Sequence, residues 1–227
     1  MTLVRCEDLP AWRRGLAKRV AAGVPGLTRL LYNAVLPVDV RPVEGAAPVR
    51  WDAVLEAWFE TPAAREAWVA TLPGGALLAN FAVEQKLIHD SGIRPLPAKV
   101  IVVFRRRAGK TRAEAQAHWR GRHVEIGLVE NNAADFLRLY FQNHVAEDNR
   151  VELPEYDYDG LPEYWLDQDG LANVGPDSEV MRAIARDEEN FADRSSLVTL
   201  LVEEEELFVR EGAVAGWGSP AAPEGPL

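Results

Sequence analysis

The chain has 227 residues, 48% of them hydrophobic, and a formal net charge of -10 at pH 7. A single cysteine excludes a disulfide framework or a cysteine-rich zinc site, and a pI near 5.0 argues against broad binding to a phosphate backbone. No apolar run approaches the ~20 residues that span a bilayer, and MTLVRCEDLPAWRR lacks the apolar core of a secretory leader. The expectation is a cytoplasmic protein that meets a small molecule, with no nucleic acid and no membrane.

In chain order, MTLVRCE (1–7) reads as a short strand and LPAWRRGLAKRVAAG (9–23) as a helix ended by Gly23 and Pro25. TRLLYNAVLPV (28–38) and WDAVLEAWFE (51–60) read as strands. AAREAWVATL (63–72) is a helix stopped by Pro73-Gly74-Gly75, LANFAVEQKLI (78–88) a strand, and SGIRPLPAK (91–99) a linker. A second series begins with the strand AKVIVVFRR (98–106). Thr111-Arg-Ala-Glu114 then fits a capping box, in which two side chains satisfy each other's backbone N–H groups, and opens a helix to about Asn131. FLRLYFQNHV (136–145) and YDGLPEYWLD (158–167) are strands, and DSEVMRAIARDEENF (177–191) is a helix with Asp177 as its cap. SSLVTLLVEEEELFV (195–209) is the last strand, and the Gly/Ala/Pro-rich tail 212–227 is irregular.

Both series follow the order β-α-β-β-α-β, the ferredoxin-like split unit. They also align residue by residue: WDAVLEAWFE on YDGLPEYWLD places Asp52 on Asp159, Glu56 on Glu163, Trp58 on Trp165 and Glu60 on Asp167. GLTRLLYN (26–33) parallels DFLRLYFQN (135–143), with Arg29 on Arg138. Such a unit has helices on one sheet face only, and the other face must be covered. The expected fold is therefore α+β, with two ferredoxin-like units, residues 1–93 and 98–211, covering each other as an intramolecular pseudo-dimeric α/β barrel. Further assembly into a homodimer stays open.

Some motifs imitate chemistry. Ala108-Gly109-Lys110-Thr111 resembles the end of a phosphate loop, but Phe104 stands where that loop needs its first glycine. No G-x-G-x-x-G, G-x-S-x-G or H-E-x-x-H is present. Glu203–Glu206 alternates between two strand faces and reads as a solvated strand end. Trp58 and Trp165 read as core residues.

The histidines carry the sharper reading. Of four, His118 and His123 share a helix, and on a regular helix they point about 140° apart, so they cannot ligate one metal together. A site through His144 remains open, but no metal is expected. His123 falls on the face marked by Trp119 and Ile126, toward the sheet. It is either a core histidine satisfied by a backbone carbonyl or a group that moves protons near pH 7. Opposite it, Arg138, Tyr140, Gln142 and His144 share one strand face, and buried polar groups need partners or a purpose.

HWRGRH (118–123), YFQNHV (140–145), YDGLPEYWLD and DEENFADRSS (187–196) together resemble the EthD domain family of dimeric α/β barrel proteins. The helix pair Trp119/His123 and the stretch Asp187, Phe191, Asp193 carry the likeness. It covers residues 98–210 well and 1–97 only as a diverged copy without the helix histidine. The resemblance implies chemistry without a cofactor, as in the decarboxylases, dehydratases, lactone isomerases and cyclases of this group. The substrate is then an aromatic or polyketide-like compound or a keto acid. It gives His123 the role of general acid or base and sets Tyr140 and His144 to hold an oxygen that gains charge. His118, Trp119, Arg138, Gln142 and Trp165 complete the substrate-binding set. Two alternatives from other classes are an accessory protein of an oxygenase pathway and a haem-binding barrel relative using His89, His118 or His144.

Overall fold

The computed structural model describes residues 1–38, 51–96, 98–149, 151, 154–173 and 178–212. The expected tail from residue 213 onward and the Asp177 cap lie outside them. The first half contains β1 (Thr2–Cys6), α1 (Leu9–Ala21), β2 (Leu27–Val35), β3 (Ala53–Phe59), α2 (Pro62–Val69), β4 (Ala76–Asn80) and β5 (Val83–Asp90). The second contains β6 (Ala98–Arg106), α3 (Arg112–His118), β7 (Leu137–Val145), β8 (Gly160–Leu166), α4 (Gln168–Asn173), α5 (Glu179–Glu188) and β9 (Ala192–Val209).

The helices begin where side chains can take their orphan N–H groups. Asp8 accepts from Ala11 at 2.9 Å to open α1, and Thr61 accepts from Ala64 at 3.2 Å to open α2. The expected capping box is present: Thr111 accepts from Glu114 N–H, and the Glu114 carboxylate accepts from Thr111 N–H at 2.8 Å. For α5 the cap is Ser178, which accepts from Met181.

All strands join one antiparallel sheet in the order β4-β1-β3-β2-β9-β6-β8-β7-β5. Within each half the order is the same: last strand, first, third, second. The expected single strand over 78–88 is in fact two. It breaks at Phe81-Ala82, where the chain leaves β1 and moves to β7. The two N–H groups freed there are taken by Met1 O (2.8 Å) and Asn149 Oδ1 (2.8 Å). β9 makes the reciprocal move without a break, pairing with β6 up to Val202 and with β2 from Val202 to Val209. Each half thus lends its last strand to the other.

Strand alternation divides the side chains between two faces. One face meets the helices of its own half, with Val4, Leu30 and Leu55 packing on Trp12 and Trp68 in the first, and Val100, Val102 and Phe104 packing on Trp119 and Met181 in the second. The other face is shared: Leu3, Val54 and Phe81 from the first half pack with Ile101, Leu161 and Leu200 from the second.

Also buried between the halves is a polar cluster that explains the aligned residues. Lys99, 2% exposed, donates to Glu56, to Glu204 at 2.7 Å and lies 3.0 Å from Glu163. Asn33 donates to Glu56 (2.8 Å) and Val54 O (3.2 Å), and Asn143 donates to Glu163 and to Leu161 O (2.8 Å). The two Asn–Glu pairs are counterparts, and one lysine serves both. The other aligned positions also match in role. Asp52 Oδ2 accepts from Cys6 N–H at the end of β1, and Asp159 Oδ2 accepts from Arg106 N–H at the end of β6. Trp58 carries Arg29 over its ring and Trp165 carries Lys99. The acid run 203–206 is not simply solvated, because Glu204, Glu205 and Glu206 pair with Lys99, Arg13 and Arg29.

Burial and the neighbouring Glu56 carboxylate push the Glu163 carboxyl up to about 8, against the pull of Lys99. A carboxyl raised in the folded state favours folding fully below its unfolded value, and that contribution is lost as pH rises to the folded one. Wild type is therefore expected to lose stability relative to Glu163→Gln between about pH 4.5 and 8, with no further divergence above pH 8. Denaturant unfolding of both proteins across this range checks it, and a gap independent of pH would contradict it.

Candidate functional site

The site is built on the helix that follows Thr111. After α3 the backbone widens into π-helical turns, Trp119–His123 and Glu125–Glu130. A π turn bonds residues five apart, so it stacks His118 and His123 that a regular helix would separate. This overturns the expected 140° divergence. Both imidazoles reach one carboxylate: His118 Nε2 lies 2.9 Å from Asp187 Oδ1, and His123 Nδ1 lies 2.8 Å from Asp187 Oδ2. Phe191 stacks on His118 (5.3 Å, 24°) and meets His123 edge-on (5.0 Å, 67°), fixing both rings.

Burial would raise the Asp187 carboxyl, but hydrogen bonds from His123, His118 and Asn190 outweigh it and hold it down at about 2. An ionised carboxylate only accepts. The nitrogens facing it therefore carry the protons, and His123 Nε2 is left with the lone pair when the ring is neutral.

His123 forms part of the wall of an apolar cavity of about 100 Å³ between the π turns, α5 and the sheet. Val102, Phe104, Trp119, Leu128, Phe136 and Met181 supply much of the lining. The polar side chains on it are His123, Tyr140, Tyr164 and Glu188. Tyr140 Oη accepts from Gln142 Nε2 (3.0 Å) and Trp119 Nε1 (3.2 Å). Two incoming N–H bonds fill the oxygen's lone pairs and leave the phenolic proton to donate. Burial raises the Tyr140 phenol above its ordinary value, so it stays protonated.

Of the residues expected in the site, His123, Trp119 and Tyr140 line this cavity. Gln142 is fully buried one layer behind, donating to Trp119 O (3.1 Å) as well as Tyr140. His144 is not in the cavity. It stacks on the far side of Trp119 (4.7 Å, 28°) and donates from Nε2 to Gln142 Oε1 (2.9 Å). Burial lowers it to about 4, so near pH 7 it is neutral and supports the Gln142–Tyr140 chain rather than a proton transfer. His118 stands behind Asp187, away from the cavity. Arg138 is turned aside, because a register shift between Leu137 and Leu139 puts Leu137 on the cavity side and leaves Arg138 paired with Asp167. Trp165 lies on the opposite sheet face, under Lys99.

Asp187 entered the sequence reading only through the family likeness, and Glu188 and Tyr164 were missed. A signal was present. Met181, Ile184 and Glu188 follow the i, i+3, i+7 spacing of one helix face, so an acidic residue occupies a core-facing position. This cavity does not suit haem, and His89, the third histidine considered for it, is not among its lining residues. The cavity is below the roughly 300 Å³ at which drug-sized ligands begin to fit, and His118 and His144 direct their Nε2 atoms at Asp187 and Gln142.

Among the described residues no His/Cys/Asp/Glu group fit to hold a metal ion is found, and no helix is long and apolar enough to cross a membrane. No family model matches the sequence, and no curated protein matches it. Two solved structures, both provisionally named monooxygenases, resemble the chain. One is from Lactobacillus acidophilus NCFM, 7% identical with a TM-score of 0.44, covering 89% of this chain and 92% of its own. The other is from Fusobacterium nucleatum subsp. nucleatum, 10% identical with a TM-score of 0.47 over 90% of each chain.

Proposed function

We propose that the chain is a cofactor-independent lyase or isomerase that acts on a small cyclic or aromatic molecule by proton transfer at His123. We read its scaffold as two ferredoxin-like units, 1–93 and 98–211, closed as a pseudo-dimeric barrel of EthD type. The observation that carries the chemical reading is the Asp187–His123 pair, 2.8 Å apart, at the wall of an apolar cavity beside a phenol that has a proton to give. His123 Nε2 removes a proton from carbon next to a carbonyl. Tyr140 donates a hydrogen bond to the oxygen that gains charge, and Trp119 and Gln142 hold it in place. Asp187 keeps the tautomer and offsets the imidazolium charge without itself taking the proton, the third-group role known from hydrolase triads.

Hydrogen–deuterium exchange at the α-carbon of small cyclic ketones, followed by proton NMR in deuterated buffer, tests the reading. Wild type is expected to speed exchange for at least one ketone. His123→Gln is expected to slow it by about 10²-fold or more, the usual scale for a general base. Equal rates in that variant, or exchange in no ketone with wild type, would overturn it. The latter result favours an accessory role.

A further inference from the structure

The cavity's charge pattern narrows what can enter it. Among the described residues no lysine or arginine side chain lines it. Asp187 offsets any positive charge on His123. The Glu188 carboxylate, 5% exposed, faces the Arg194 guanidinium at 3.5 Å. On the neighbouring turns, Arg122 pairs with Glu125 and Glu130 at the surface. A ligand carboxylate would lose its water and stand close to Glu188, where the nearby cation, Arg194, is already shared by Glu188 and by Glu189 at 3.7 Å. Desolvating a charge without a partner costs several kcal/mol. The volume sets a second limit, since about 100 Å³ is on the scale of a cavity that holds one benzene ring.

We infer that this cavity takes a neutral, single-ring ketone or phenol, and that Glu188 is the residue that rejects the corresponding acids. The inference rests on the reading of this cavity as the substrate site and narrows its chemistry. It removes decarboxylation of a keto acid from the reaction classes and leaves dehydration, isomerisation or cyclisation of an uncharged carbonyl compound. Tyr140 then recognises the ligand oxygen, and Phe104, Trp119 and Phe136 enclose the ring.

The test uses the full chain and three probes of similar shape: acetophenone, phenol and benzoate, with affinities from titration calorimetry at pH 7.5. Acetophenone and phenol are expected to bind, with benzoate weaker by about tenfold or more. Tyr140→Phe should weaken acetophenone several-fold, and Glu188→Gln should narrow the gap between acetophenone and benzoate. Benzoate binding as tightly as acetophenone, a gap unchanged in Glu188→Gln, or binding of none of the three would overturn the inference. The wild-type comparison decides the matter even where a variant fails to fold. Acetophenone binding without ketone exchange defeats the proton-transfer reading and leaves this one standing, whereas preferred benzoate with exchange intact does the reverse.

Discussion

Replacing Lys99 by methionine is expected to lower the unfolding free energy by about 3–5 kcal/mol, the scale for removing one partner from a buried ion cluster. Lys99 is 2% exposed and is the cation shared by Glu56, Glu163 and Glu204. Its ammonium is held above the ordinary lysine range because those carboxylates outweigh the cost of burial. Methionine fills similar space but leaves buried carboxylates facing one another. They must take up protons or draw in water, and either route costs stability. Adding Glu163→Gln replaces the carboxyl that titrates near pH 8 with an amide that carries no charge and can donate to a neighbouring carboxylate, and is expected to restore part of the loss. Urea unfolding at pH 7 of wild type, single and double variants measures both effects. A single variant within about 0.5 kcal/mol of wild type would show that the cluster is not holding the halves together.

Trp119→Ala ranks second, at about 3–5 kcal/mol, the range for truncating a buried tryptophan. Trp119 is 1% exposed and packs edge-on against Phe104 at 4.9 Å, with His144 stacked on its other face. Its removal joins new space to the existing cavity, and the surrounding sheet cannot collapse into it. The indole also donates to Tyr140, so the variant loses one of the two N–H groups that fix the phenol. Trp119→Phe should recover much of the packing but not that hydrogen bond. Denaturant unfolding ranks the three proteins, and a loss below about 1 kcal/mol in Trp119→Ala would contradict the packing account. Ligand affinity should stay weakened in Trp119→Phe.

Much of the architecture was legible because local signals agreed with one another. The Thr111 capping box, the Pro73-Gly74-Gly75 stop and the alternation in β7 each named an element correctly. The aligned residues Glu56 and Glu163 have the same kinds of partner in the structure, an asparagine and Lys99. The site was only partly legible. A regular-helix projection separates His118 from His123, and nothing in HWRGRH marks the wider turns that bring them to one carboxylate. Likewise, strict alternation put Arg138 beside Tyr140, and a local register shift undoes that. Trp165 follows from alternation alone, since its neighbour Tyr164 takes the cavity side and leaves the tryptophan on the other face.

The exchange of last strands has a consequence for synthesis. Arg29 in β2 has its partner at Val209, and the intervening β6, β8 and β7 stand between β9 and the place where β5 docks. While the chain is being made, the first half can assemble β4, β1, β3 and β2, yet it emerges with the outer edge of β2 unsatisfied. That edge stays open until the final strand leaves the ribosome, which is the situation in which unpaired edges recruit the wrong neighbour. Contacts this distant in sequence also make folding slow. The nascent first half is thus the form of the molecule most exposed to aggregation, and a stop codon placed after Asp90 would make that vulnerable form permanent.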